Sequence, residues 1–159
     1  MFTPTHLHAM FIHFPIALLI VGFLSEVISL FSKKEFFKTG GFYLLILGAL
    51  GTIASYFSGN AAGEGIEEGP LEKVMELHEQ AATLTLWLTV ATSLVYLAIF
   101  IFKYRRSWAR IASIVLFASV IGSLARTGYL GGQLVYKHGA GVQLTLPDFS
   151  NPDAGKEEK

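Results

Sequence analysis

The chain has 159 residues, of which 52% are hydrophobic and only 15% charged, whereas a soluble domain of this size carries about a quarter charged residues. Twelve basic and twelve acidic residues cancel, and nothing in that balance points to nucleic acid. No cysteine is present, which excludes disulfides, thiolate-held iron–sulfur clusters, thioether-linked haem and thiol nucleophiles.

The shortfall of charge comes from long uncharged stretches, so the chain reads as an integral membrane protein. A hydrocarbon core of about 30 Å needs roughly 20 helical residues. The start, Met1-Phe2-Thr3-Pro4-Thr5-His6, has neither a basic residue nor a small-residue cleavage site before the first apolar run, and is expected to be an uncleaved end. Thr3-Pro4 is a helix start, which sets His6 and His8 on turns projecting beyond the first span, residues 10–31. Pro15 inside that span removes a backbone donor and predicts a kink just below His13. Glu26, near its other end, is expected to snorkel or to pair. The first connection carries Lys33, Lys34 and Lys38 against Glu35.

The second span, residues 41–58, is the shortest, and its Gly48 and Gly51 are of the kind that lets membrane helices approach closely. Residues 58–65 then read as a flexible, turn-rich stretch. The second connection is acidic, with Glu64, Glu67, Glu68, Glu72, Glu76 and Glu79 against Lys73. Gly69-Pro70 marks a new helix start, and nothing breaks a helix from there to Phe102. The third span, residues 81–102, is therefore preceded by projecting turns that carry His78. Lys103, Arg105, Arg106 and Arg110 follow with no acid among them. The fourth span, residues 109–130, holds Arg126 a few residues from its end, together with Gly122 and Gly128, for which packing is expected. Gly131-Gly132 is a point where helix four could fold back. Residues 1–138 are thus expected to form the membrane domain and 139–159 a loosely ordered tail.

Lys and Arg are retained on the cytoplasmic side, so loops one and three lie inside, and both termini and the acidic loop lie outside. The expected fold is an all-α, up-down-up-down four-helix membrane bundle. Counting at about 1.5 Å per residue, His13 falls at the outer boundary, and His8 and His78 lie roughly 5–6 Å beyond it. His6 and His138 lie higher. All five histidines gather at one membrane face. Imidazole titrates near neutrality and binds metals and haem iron, so His6, His8, His13, His78 and His138 are candidate ligands for a metal or a haem. A single interfacial imidazole is ordinarily a hydrogen-bonded surface group, and His6 fits that description best. Met10 and Met75 each precede a histidine by one helical turn; core filling is the ordinary role of both. Arg126 is a candidate partner for a haem propionate or for Glu79, or a snorkelling side chain.

The run His6-Leu7-His8-Ala9-Met10-Phe11-Ile12-His13-Phe14-Pro15 resembles the opening of a bacterial membrane family, the domain of unknown function twenty-two thirty-one. Members begin with a His-x-His-Pro stretch leading into Val-His-Phe-Pro, carry a His before the third span, and close with Gly-Gly-x-Leu-Val-Tyr-x-His-Gly. Here the corresponding residues are His78 and Gly131-Gly132-Gln133-Leu134-Val135-Tyr136-Lys137-His138-Gly139, with Ala9 where the family has Pro. The resemblance implies a bacterial inner membrane. It also implies likeness to four-helix membrane cytochromes, since related domains occur joined to Rieske-type or c-type cytochrome modules. The expectation is therefore a b-type cytochrome-like electron carrier, with haem b held by His13 and His78. His8 and His138 form a second pair or support the first, and Arg126 is an accessory group. Expected partners are the bilayer, an outer-face redox protein or quinol, and further subunits in a homo- or hetero-oligomer. Two alternatives stand beside it: a Zn or Cu site built from three or four of the same imidazoles, and a cofactor-free subunit that binds a partner or senses external pH. No residue set argues for hydrolysis or group transfer.

Overall fold

The computed structural model describes residues 3–63, 71–104 and 106–142. These form four α-helices: α1 (Pro4–Phe31), α2 (Glu35–Gly63), α3 (Glu72–Ile101) and α4 (Ser107–His138), with no strand among the described residues. All four are long and apolar enough to cross a membrane. Thr3 caps α1, accepting the His6 amide on its hydroxyl, and Pro4 occupies the first turn, where no amide is needed. At the far end Gly139 stops α4 in the left-handed conformation, φ 65°, that glycine adopts without steric cost.

Two local expectations need correcting. Helix α2 runs on through Ser58–Gly63, where composition suggested a flexible turn, and α4 runs unbroken through Gly131-Gly132. In both places an interior contact holds the backbone helical: Gly59 lies against the His8 ring and Gly131 against the His78 ring. The Gly69-Pro70 start lies outside the described residues.

Helices α1, α2 and α3 each bury a stripe with the alternating four–three spacing of a coiled-coil seam. On α1 this stripe is Pro15, Leu19, Gly22, Glu26 and Ser29; on α3 it includes Thr85, Thr89, Thr92 and Tyr96. Helix α1 packs on α2 and α4, and α3 packs on the same two, with no α1–α3 or α2–α4 packing among the described residues. Early residues of α1 meet late residues of α2. Gly48 and Gly51 both serve that seam, as expected: a Cβ on Gly48 would stand 2.7 Å from Leu19 Cδ2, and one on Gly51 would stand 3.2 Å from Pro15 Cδ. Gly122 and Gly128 do not match the packing expectation, because a Cβ on either would meet nothing within 4 Å.

Leu19, Leu45, Phe117 and Val120 are wholly buried at mid-height, and Phe117 sets its edge against both Phe23 and Tyr96. Around this plug the interior is rich in hydroxyls, while Phe14, Leu50, Trp87 and Phe102 face outward. Such inversion suits a hydrocarbon surround. Most of these hydroxyls are satisfied within their own helix, as in Thr52 to the Gly48 carbonyl (2.9 Å), Thr89 to Thr85 (2.7 Å) and Ser113 to Ala109 (2.8 Å).

The α1–α2 seam therefore predicts that Gly48→Ala overpacks Leu19 and costs about 1–3 kcal/mol. Gly122→Ala gains helix propensity, up to about 1 kcal/mol. Thermal unfolding in detergent followed by circular dichroism checks the contrast; equal losses from the two variants would refute the seam.

Candidate functional site

Counting back seven residues from Pro15 along the α1 stripe reaches His8, and seven back from Thr85 along α3 reaches His78. Both rings are half-buried at the same end of the bundle, on the turns that project past the apolar spans. The two sites are built alike. A Cβ on Gly59 of α2 would stand 3.0 Å from His8 Cε1, and a Cβ on Gly131 of α4 would stand 3.0 Å from His78 Cε1. Each imidazole thus rests on a glycine of the neighbouring helix. Gly131 follows Gly59 by 72 positions and His78 follows His8 by 70, so the two helical hairpins repeat one arrangement.

The hydrogen bonds settle which ring nitrogen is free. His8 Nδ1 lies 3.1 Å from Ser58 Oγ, and the Ser58 hydroxyl gives its own proton to the Ser55 carbonyl at 3.0 Å. Ser58 therefore accepts, and His8 Nδ1 carries the hydrogen. His78 Nδ1 lies 3.1 Å from the Thr127 carbonyl, which can only accept. Both imidazoles consequently keep the Nε2 lone pair available, the tautomer that metal-ligating histidines use. Beneath His78 the hydroxyls of Thr85, Ser123 and Thr127 are linked at 2.7 and 2.9 Å, which holds α3 against α4 directly below the ring.

Burial pushes both imidazoles below the ordinary pKa of about 6.5. For His8 the charge of nearby His78 lowers it further, and the Ser55 carbonyl dipole partly offsets this. For His78 the Thr127 carbonyl and Glu79 offset burial in part. The pair therefore favours the neutral form that can donate a lone pair.

The other expected ligands sit elsewhere. His13 is exposed, with Nδ1 bonded to the Ala9 carbonyl of its own helix at 2.6 Å, because it is two residues off the buried stripe at Pro15. His8, not His13, shares the bundle interior with His78. His6 is exposed and bonded to the Thr3 hydroxyl at 2.8 Å; His138 and Arg126 are exposed on α4. Among the described residues no three of His, Asp and Glu converge to hold a metal ion. Thr127 was not singled out by sequence reasoning, and Ser58, Gly59 and Gly131 were read only as turn or fold-back positions; the seven-residue count from Pro15 is the signal that would have found His8's place.

A family described as Predicted membrane protein (DUF2231) matches residues 4–144. The chain belongs to this family. The DUF2231 match takes in all four helices and all five histidines, so the paired imidazoles and their glycine supports lie within it. No curated protein and no solved structure matches the chain.

The lowered pKa values give the site a pH signature. The unfolded chain takes up protons near pH 6.5 while the folded pair resists, so stability is full above that value and falls as pH drops below it. The melting temperature is expected to be level between about pH 8 and 7 and to decline toward pH 5. His8→Gln and His78→Gln should each flatten that decline. An unchanged slope in both variants would show that the pair does not titrate as described.

Proposed function

We propose that this chain is a membrane cytochrome-like electron carrier in which His8 and His78 would hold a non-covalent b-type haem. The proposal includes an up-down-up-down bundle in a bacterial inner membrane, with both termini and the paired imidazoles on the periplasmic side. One observation carries it. Two half-buried imidazoles from α1 and α3 both have Nδ1 engaged, and neither Nε2 has a hydrogen-bond partner among the described residues. Imidazole donors from two different helices of a bundle are the kind of groups that would hold a non-covalent haem. The lack of cysteine agrees with non-covalent attachment. The orientation is supported by Lys33, Lys34 and Lys38 in one connection and Lys103, Arg106 and Arg110 in the third, against the acids of the second.

Haem bound there would supply a one-electron iron couple. The chain's part is to fix each ring through its Nδ1–H, to keep both imidazoles neutral, and to shield them by half-burial between helices. Exposed His13, His138 and Arg126 at the same end offer polar contacts to an outer-face redox protein or quinol. With only two imidazoles facing inward, the donor set suits axial ligation better than a tetrahedral zinc centre.

The test is the visible spectrum of the detergent-purified protein with a pyridine haemochrome assay. The expected result is a Soret band that sharpens on reduction, lost in His8→Ala and in His78→Ala and retained in His13→Ala. A colourless protein after expression with haem in supply would sink the proposal, as would full haem content in either ligand variant.

A further inference from the structure

At the opposite end of the bundle all four helices surround a cavity of about 690 Å³. Its walls carry Lys38, Lys103, Arg106 and Arg110, and Glu26 and Tyr96 reach it from the buried stripes of α1 and α3. Glu26 is only 3% exposed, so of its two expected roles, snorkelling or pairing, the structure overturns snorkelling. The reason is the α1–α2 seam: Gly41 has no side chain, and a Cβ there would stand 2.9 Å from Glu26 Cγ. The Ser29 hydroxyl, which donates to the Glu26 backbone carbonyl at 2.6 Å, lies 3.4 Å from its carboxylate, and Arg110 and Lys38 act on that carboxylate electrostatically. With Glu35 counted, four cations meet two carboxylates, so the cavity is net basic.

Two further features bear on what it holds. The Tyr96 hydroxyl is buried and has no hydrogen-bond partner among the described residues, although it lines the cavity. A buried hydroxyl donor left unpaired is costly inside a bilayer. Arg110 spends one terminal nitrogen on the Ser29 carbonyl (2.6 Å) and hydroxyl (3.0 Å), and its other donors have no hydrogen-bond partner among the described residues. Phe42 and Phe100 stack at 4.8 Å to make one wall apolar, and Ile101 on the rim is 61% exposed toward the lipid side.

We propose that this cavity binds the phosphate headgroup of an anionic phospholipid. The phosphate oxygens accept from Lys103, Arg106 and the other donors of Arg110. The Tyr96 hydroxyl donates to a phosphate or ester oxygen, and the acyl chains leave past Phe100 and Ile101. A basic pocket between helices at the cytoplasmic end of spans is the expected seat for such a headgroup. The apolar wall and lipid-facing rim favour a lipid phosphate over free phosphate. The inference is independent of what the imidazole pair holds.

Thermal unfolding of the full-length, delipidated protein in neutral detergent tests it. Phosphatidylglycerol is expected to raise the melting temperature by about 5 °C, while phosphatidylcholine and inorganic phosphate leave it unchanged. The double variant Lys103→Gln/Arg106→Gln, both exposed side chains, should lose at least half of that shift. Tyr96→Phe should reduce it without lowering the lipid-free melting temperature. Lys33→Gln/Lys34→Gln, outside the cavity, should keep it whole. An equal shift with phosphatidylcholine overturns the site. A full shift with inorganic phosphate overturns the lipid assignment, and an equal loss in the Lys33/Lys34 variant would reduce it to surface charge.

Discussion

Helices in lipid gain little from hiding apolar surface from one another, because the acyl chains are equally apolar, so association rests on close packing. The contact on which this molecule depends is the seating of Leu19 over Gly48, continued along one seam by Glu26 on Gly41, Pro15 on Gly51 and His8 on Gly59. Four glycines of α2 thus form a groove that admits successive side chains of α1. Once α1 is drawn into that groove, every residue on its four–three stripe goes inside, whatever its polarity. His8 and Glu26 are interior groups for the same reason that Leu19 is.

The second hairpin solves the same problem with different chemistry. Leu45 and Phe117 stand 72 positions apart, as do Ser55 and Thr127, and Gly59 and Gly131; Glu26 and Tyr96 are 70 apart, like the two imidazoles. Where α1–α2 relies on glycine, α3–α4 relies on hydroxyls, with Thr85 bonded across to Ser123 and Thr127. Both hairpins end in an imidazole resting on a glycine, with its Nδ1 tied to the adjacent helix. Two such hairpins packed through Phe117, Phe23, Phe42 and Phe100 bring the imidazoles together at one end and the Glu26–Tyr96 pair to the other. The apolar plug of Leu19, Leu45, Phe117 and Val120 separates these ends.

That separation suits a protein with distinct chemistry at its two membrane faces. The imidazole pair at one end favours the neutral form through burial, with an acceptor at each Nδ1. The cavity at the other end is basic, with a buried carboxylate and a hydroxyl that is unpaired among the described residues. Neither end needs the other in order to form, because each is built by local contacts between adjacent helices.

Four apolar stretches and the alternating charge of their connections were legible in the sequence, because hydropathy and the distribution of Lys and Arg are local properties of the chain. The gathering of histidines toward one end was legible too, since depth follows from rise per residue along each helix. Which imidazoles turn inward was not. The expectation named His13 with His78 although depth set His8 level with His78; rotation about the helix axis decides burial, and only packing against α2 fixes that rotation. His8 shares the stripe of Pro15 and Leu19, whereas His13 turns outward to its own backbone. Likewise Gly59 and Gly131 read as breakers until the rings lying on them explained why the helices continue. Residue order determined which groups share a height in the membrane, and the tertiary contacts alone determined which of them face one another.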